Sequence, residues 1–138
     1  MNKRNIAGLI SGAVLLSGAL AGTALAHHDN DETSKSSIAM DYKQAKGKFV
    51  GQVTSGNAKC LTARTVNVFK ARTGAKVGTA TTNTGGGWAV AVKKNSGRYF
   101  SKVTADTHVL AQGHDKYGAL LWEHTLTCTA AKSDVEGT

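Results

Sequence analysis

Short segments of alternating side chains, separated by glycine-containing turns, follow one another from Gly47 to Cys128. Residues 49–54 and 88–93 show the clearest alternation, which places successive side chains on opposite faces of a strand. Turn signals recur about every 8 to 12 residues, a spacing typical of an antiparallel sandwich or barrel. No stretch after residue 26 keeps a helical period with caps at both ends. The pattern therefore restricts the chain to an all-β fold.

We predict a single antiparallel β-sandwich of about seven short strands, held by one disulfide. The predicted strands cover 49–54, 65–70, 76–82, 88–93, 99–104, 107–112 and 119–128. Trp88 and Trp122 each share a strand face with aliphatic residues and are predicted to be buried. The sandwich is predicted to span 47–130, after a flexible polar leader at 27–46 and before a C-terminal tail at 131–138.

The first 26 residues have the organisation of a secretory signal peptide. Lys3 and Arg4 precede an apolar run at 6–20, and Ala24 and Ala26 are the small residues that a signal peptidase requires. We predict cleavage after Ala26 and a secreted, extracellular protein. Processing would leave no integral membrane segment.

The chain is strongly basic, with 17 Lys and Arg against 9 Asp and Glu. Lys3 and Arg4 lie in the predicted signal peptide, so the formal charge falls from +8 to about +6 after cleavage. Such a charge favours an anionic partner, for which a cell-envelope polymer or a carbohydrate is the expectation. Nucleic acid is not expected, because an exported chain of this kind carries no recognition motif. A solvated basic surface without a specific partner is the alternative.

Cys60 and Cys128 are the only cysteines. Cysteines of an exported chain tend to form disulfides, and both positions share face parity with core residues. Closing a loop of about 69 residues would stabilise the fold by roughly 4 kcal/mol in the chain-entropy model. A redox or metal pair is disfavoured because there is no C-x-x-C motif.

Phe69 and Phe100 fall out of phase with the core-facing residues of their strands. They are predicted to form an exposed apolar patch flanked by Lys70, Arg98 and Lys102, which suits stacking on sugars or docking on an anionic polymer. Two alternatives remain open: the leader covers this face, or the register is shifted by one residue.

Five histidines offer a second class of function, a small secreted metal-binding protein or hydrolase. His27 and His28 begin the predicted mature chain, and His108, His114 and His124 cluster late in the sequence. The late spacing matches no compact zinc motif, and the chain contains no G-x-S-x-G nucleophile motif. We therefore predict no catalytic residue, no metal and no cofactor.

Residues 47–104 resemble a transthyretin-like (prealbumin-like) β-sandwich, similar to bacterial carboxypeptidase regulatory-like and Cna B-type modules. The similarity rests on Gly51–Thr54, Thr65–Val68, the Asn-x-x-Gly turn with its aromatic residue within 78–88, and the Gly-x-Tyr-x-x-x-Val segment at 97–103. It implies a non-catalytic scaffold, adhesive segment or binding domain. The sequence thus predicts a secreted, non-catalytic module with a binding or structural role at the cell envelope or outside the cell.

Overall fold

Eleven β-strands make up most of the chain that the structure describes. The structure, a computed structural model, describes residues 31–92 and 97–138. Apart from two short 3-10 helices at Gln44–Lys46 and Ala58–Cys60, those residues contain no helix. The strands are β1 (Glu32–Ser34), β2 (Ser36–Lys43), β3 (Lys48–Ser55), β4 (Thr65–Lys70), β5 (Lys76–Thr81), β6 (Gly87–Ala91), β7 (Arg98–Val103), β8 (Asp106–His114), β9 (Leu120–Cys128), β10 (Ala131–Lys132) and β11 (Glu136–Gly137).

The seven segments predicted as strands correspond to β3 through β9, and the all-β fold is confirmed. The predicted strand at 65–70 coincides with β4, and the other boundaries differ by at most two residues. The alternating sequence pattern predicts these strands correctly because most of them bury one face and expose the other. Burial alternates strictly along β6 and β7, for example.

The described part of the predicted flexible leader, residues 31–46, differs from the prediction because it contains β1 and β2. β2 pairs antiparallel with β3 over all eight of its residues and buries Ile38 and Met40. These side chains alternate with neighbours that face solvent, but the polar composition around them suggested a solvated segment. Hydrogen bonding to β3 holds this segment as a strand, and the sequence of the segment alone does not indicate that partner.

The predicted C-terminal tail also contributes strands. β10 and β11 both pair antiparallel with β7, with Ala131 opposite Val103 and Glu136 opposite Tyr99. Between them, the Ser133 N–H donates to the Ser101 carbonyl oxygen over 2.9 Å. Strands of two residues are too short to show a period, so alternation could not reveal them.

Two sheets face each other across the main core. One has the order β2–β3–β6, and the other has the order β10–β7–β4–β5, with β11 also paired to β7. Each large apolar side chain buried between them contributes about 1.5 to 3 kcal/mol to the free energy of unfolding. Both sheets supply the core residues, which are Ile38, Met40, Phe49, Val53, Val66, Val68, Trp88, Val90, Val92, Tyr99 and Val103.

A third sheet, with the order β1–β9–β8, contains the long β8–β9 hairpin. β1 joins β9 in parallel, whereas the other strand pairs of the molecule's described part are antiparallel. The predicted Cys60–Cys128 disulfide is confirmed, with 5.4 Å between the Cα atoms. Both cysteines are fully buried and form a second, small apolar cluster with Leu126.

Trp122 does not enter a core, and the prediction of its burial is wrong. Its side chain is 42% exposed, and its neighbours Leu120 and Leu121 are exposed as well. The same strand buries Leu126 and Cys128 at its other end. A register shift at Leu121 separates Leu120 from Trp122, so the predicted common face does not extend to Leu120. Among the described residues, no second sheet packs on this half of the hairpin, and neither apolar cluster includes Leu120, Leu121 or Trp122.

Candidate binding surface

Phe69 and Phe100 are direct cross-strand partners on the outer face of the larger sheet. β4 and β7 pair in a register that sets Phe69 opposite Phe100, while Val68 and Ser101 point into the core. The two rings stack with their centroids 5.3 Å apart and an interplanar angle of 19°. The predicted direction of both side chains is therefore correct, and their pairing is a consequence of the register.

Two lysines lie over this aromatic pair. The Lys102 Nζ is 5.6 Å from the Phe69 ring centroid and 5.7 Å from the Phe100 centroid. Lys132, the cross-strand neighbour of Lys102, places its Nζ 4.4 Å from the Phe100 centroid. These distances are within the range of cation–π attraction. Phe69, Phe100, Lys102 and Lys132 together are called the phenylalanine platform below.

The platform is less exposed than the sequence predicted. Both phenylalanines are half-buried, whereas Lys102 and Lys132, whose Nζ atoms lie over the rings, are exposed. The described part of the leader, residues 31–46, does not cover this face, since β1 and β2 belong to the other two sheets. The rings therefore stay accessible to any ligand that displaces or engages the two ammonium groups.

The sheet face around the platform carries no carboxylate at its paired outward positions. Lys76 lies opposite Phe69 in the register of β5, and the Thr79 hydroxyl donates to the Asn67 Oδ1 over 2.7 Å. Alternation of the strands places on this face Thr65, Asn67, Phe69, Lys76, Thr79, Thr81, Arg98, Phe100, Lys102 and Lys132. The bases of this face lie opposite no acid at their paired positions, and Glu136 pairs with the inward-facing Tyr99, so this surface is basic.

Lys70 and Arg98, the remaining predicted binding residues, lie apart from the stacked rings. They line a shallow cleft of about 690 Å³ beside the platform, together with Arg72 and Tyr99. Arg98 connects the cleft with the platform, because it lines the cleft and is an outward residue of β7, two positions before Phe100. The structure thus brings Phe69, Phe100 and Lys102 together and groups Lys70 and Arg98 in the adjoining basic cleft.

Sequence reasoning missed Lys132, Lys76 and Arg72 as members of this surface. Lys132 lies in the predicted C-terminal tail, and its pairing with Lys102 brings it to the platform. Lys76 reaches Phe69 through a register shift next to Val68 in the β4–β5 pair. A sequence pattern contains no signal for such a shift, because it depends on the partner strand.

A buried arginine joins the sandwich to the β8–β9 hairpin. Arg64 is only 1% exposed, and its Nη1 donates to the Cys60 carbonyl oxygen over 2.8 Å and to the Ser36 Oγ over 3.2 Å. Its Nη2 donates to the carbonyl oxygens of Thr104 and Thr129, over 2.6 and 3.0 Å. The guanidinium therefore binds three backbone carbonyls and one side-chain hydroxyl from four segments, a structural role that the sequence did not indicate.

Burial opposes the charge on Arg64. Desolvation lowers the pKa of its guanidinium below the usual value, and the negative charge of Asp106 partly compensates by raising it. An arginine side chain stays protonated in proteins, so this group remains a five-donor cation inside the fold. Its bonds orient carbonyl groups of the protein and leave it no role on the binding surface.

The late histidines do not converge on one centre. His108 Nε2 lies 3.2 Å from the Asp106 Oδ2, and His124 Nε2 lies 3.4 Å from the Glu32 Oε1. Within residues 31–92 and 97–138, no group of three His, Cys, Asp or Glu side chains could hold a metal ion. His27 and His28 lie outside the described residues. His108 and His124 therefore each lie beside a different carboxylate, Asp106 and Glu32 respectively.

Comparison with known proteins found no family, no curated protein and no solved structure that matches this chain. In the part of the chain that the structure describes, no helix has the length and apolarity needed to span a membrane.

Proposed function

We propose that this chain is an exported, non-catalytic binding module whose phenylalanine platform and adjoining basic cleft bind an anionic polymer of the cell envelope or extracellular space. The observation that carries the proposal is the Phe69–Phe100 stack beneath two lysines, on a sheet face without a paired acid. An acidic polysaccharide is the polymer class that suits it best.

The platform offers two kinds of contact at one place. Half-buried aromatic rings can pack against the C–H faces of sugar rings, while the ammonium groups above them pair with carboxylate or phosphate groups. Arg98 extends the positive surface from the platform into the cleft with Lys70 and Arg72. A chain of repeating anionic units would therefore contact the cleft and the platform together.

Export is part of the proposal. A fully buried disulfide is typical of proteins from oxidising compartments, which agrees with the signal peptide predicted from residues 1–26. Those residues lie outside the described ranges, so cleavage after Ala26 stays a prediction.

Membership of the transthyretin-like class is the finer part of the proposal. The two-sheet core supports it, as does the turn at 83–87, where the Asn83 Oδ1 accepts the N–H groups of Gly85 and Gly87 over 3.0 and 2.9 Å. Gly86 adopts φ 86°, and an added Cβ would lie 2.2 Å from the Val53 carbonyl oxygen. Glycine is therefore required at this position of the Asn-x-x-Gly turn.

Binding of polygalacturonate and dextran sulfate, with neutral dextran as reference, tests the function. We expect the mature chain to bind both polyanions, to ignore neutral dextran, and to lose affinity steeply as salt rises because exposed charges are screened. Arg98→Glu/Lys102→Glu should weaken binding by about tenfold or more, which corresponds to about 1.4 kcal/mol. Phe100→Ala should weaken polygalacturonate binding at high salt, where stacking contributes most.

The matched control is Lys35→Glu/Lys46→Glu, which changes the net charge equally at exposed positions away from the platform. It should bind like the wild type apart from a small general effect. Equal loss in the two double variants would show that only net charge matters. Binding that does not depend on salt would also contradict the proposal.

A further inference from the structure

The turn end of the β8–β9 hairpin exposes a group of large apolar side chains. Tyr117 is 82% exposed, Leu121 49%, Trp122 42% and Leu120 37%. These four residues, called the hairpin tip below, make up most of the large apolar side chains that are exposed in the described part of the chain. Exposed apolar groups of this size commonly mark an interaction surface.

The turn that carries the tip is well ordered. The Asp115 Oδ1 accepts the backbone N–H groups of Tyr117 and Ala119 over 2.8 and 2.9 Å, and the Gly118 N–H donates to the Asp115 carbonyl oxygen over 3.1 Å. Gly118 adopts φ 85°, which closes the turn. The tip therefore presents its side chains from a fixed scaffold.

The apolar side chains of the tip occupy both faces of the hairpin. A bulge at Leu121 interrupts the alternation of β9, because Gly113 lies opposite Trp122 while the next residue, His114, lies opposite Leu120. Trp122 and Leu120 therefore lie on opposite faces, and Tyr117 lies in the turn itself. Trp122 packs over Gly113, where an added Cβ would lie 2.2 Å from the indole Nε1. A flat protein partner or a second copy would cover one face and leave the other in water. Only an environment that surrounds the turn covers both.

We propose that the hairpin tip inserts into the headgroup–acyl boundary of an anionic lipid bilayer. Trp and Tyr favour this boundary because each has an apolar ring with a polar atom. The Lys116 Nζ lies 4.9 Å from the Tyr117 ring centroid and can reach lipid phosphates from there. The formal charge of about +6 that remains after removal of the predicted signal peptide attracts the chain to an anionic surface.

Titration with vesicles of mixed phosphatidylcholine and phosphatidylglycerol tests this insertion through tryptophan fluorescence. We expect a blue shift and quenching by brominated lipid, both arising from Trp122, because Trp88 is only 5% exposed. Trp122→Phe should still bind vesicles but lose the spectral change. Leu121→Asp should lower partitioning by about tenfold or more, since it places a charge in the boundary.

Val109→Asp is the matched control, with the same charge change at a residue of the same hairpin that is 53% exposed. Val109 lies roughly 15 to 20 Å along the strand from the turn, beyond an insertion depth of about 5 to 10 Å, so it should partition like the wild type. Arg98→Glu/Lys102→Glu should retain the blue shift, which separates insertion from polymer binding.

Three results would overturn the proposal. The first is wild-type partitioning by Leu121→Asp, and the second is a Trp122 emission that vesicles leave unchanged. The third is a vesicle-independent dimer in sedimentation experiments that Leu121→Asp abolishes, which would assign the tip to a second copy of the chain.

Discussion

The same cross-strand pair, a glycine opposite a tryptophan, occurs once in the sandwich and once in the β8–β9 hairpin. Gly51 of β3 lies opposite Trp88 of β6, and Gly113 of β8 lies opposite Trp122 of β9. In both pairs the indole lies over the glycine, where an added Cβ would come within 2.4 Å of Trp88 and 2.2 Å of Trp122. Yet Trp88 is 5% exposed and Trp122 is 42% exposed.

The difference is in what covers the second face of each indole. Trp88 belongs to the main core, where residues of the opposite sheet such as Val68 and Tyr99 complete its surroundings. Trp122 lies over Gly113 of its own hairpin, and neither apolar cluster of the described residues includes it. The paired strand thus covers one face of a large side chain, and the other face is buried only where a second sheet packs against it.

Truncation of the two tryptophans should give the largest contrast between these regions. Trp88→Ala removes a large side chain from a packed core and should cost roughly 3 to 5 kcal/mol of the free energy of unfolding. Trp122→Ala should cost less than about 1 kcal/mol, since solvent already reaches the indole. Urea denaturation of both variants measures the difference. Equal losses would mean that the hairpin tip is covered in solution.

Removal of the disulfide should separate the two regions further. Cys60→Ala/Cys128→Ala opens a long loop and should cost as much as about 4 kcal/mol. Because the bridge ties the end of β9 to the helical turn before β4, hydrogen exchange should rise more in β8 and β9 than in β3 and β6. Intact mass after alkylation verifies the pairing in the wild type. An equal rise of hydrogen exchange in all four strands would contradict the expectation that the disulfide stabilises the hairpin more than the sandwich.

Adding a methyl group at each glycine should give the smallest contrast. In Gly51→Ala the new Cβ would lie 2.1 Å from the Ala39 carbonyl oxygen and 2.4 Å from the Trp88 ring, so the core must shift, at a cost of about 1 to 3 kcal/mol. In Gly113→Ala the Trp122 indole can swing into solvent, and the cost should stay below about 1 kcal/mol. Thermal unfolding of the two variants tests this, and a larger loss at Gly113 would reverse the interpretation.

Of the binding surface, the sequence predicts the direction of side chains within one strand but not which residues of different strands lie side by side. Parity along β4 and β7 directs Phe69 and Phe100 away from the core, which the sequence indicated correctly. Their stacking depends on how two strands separated by β5 and β6 align. Lys132 reaches Phe100 only because the C-terminal residues return to pair with β7. The sequence does not encode these alignments in any single segment.

The sequence by itself determined the seven segments β3 to β9, the faces of side chains such as Phe69 and Phe100, and the pairing of Cys60 with Cys128. These follow from a period of two and from having two cysteines. The tertiary structure decided which faces are covered. It placed β2 in the core, enclosed Arg64 among carbonyl groups, and left Trp122 in solvent. The physical reason is that alternation is a local property of the backbone, whereas burial requires a second layer contributed by residues distant in the chain.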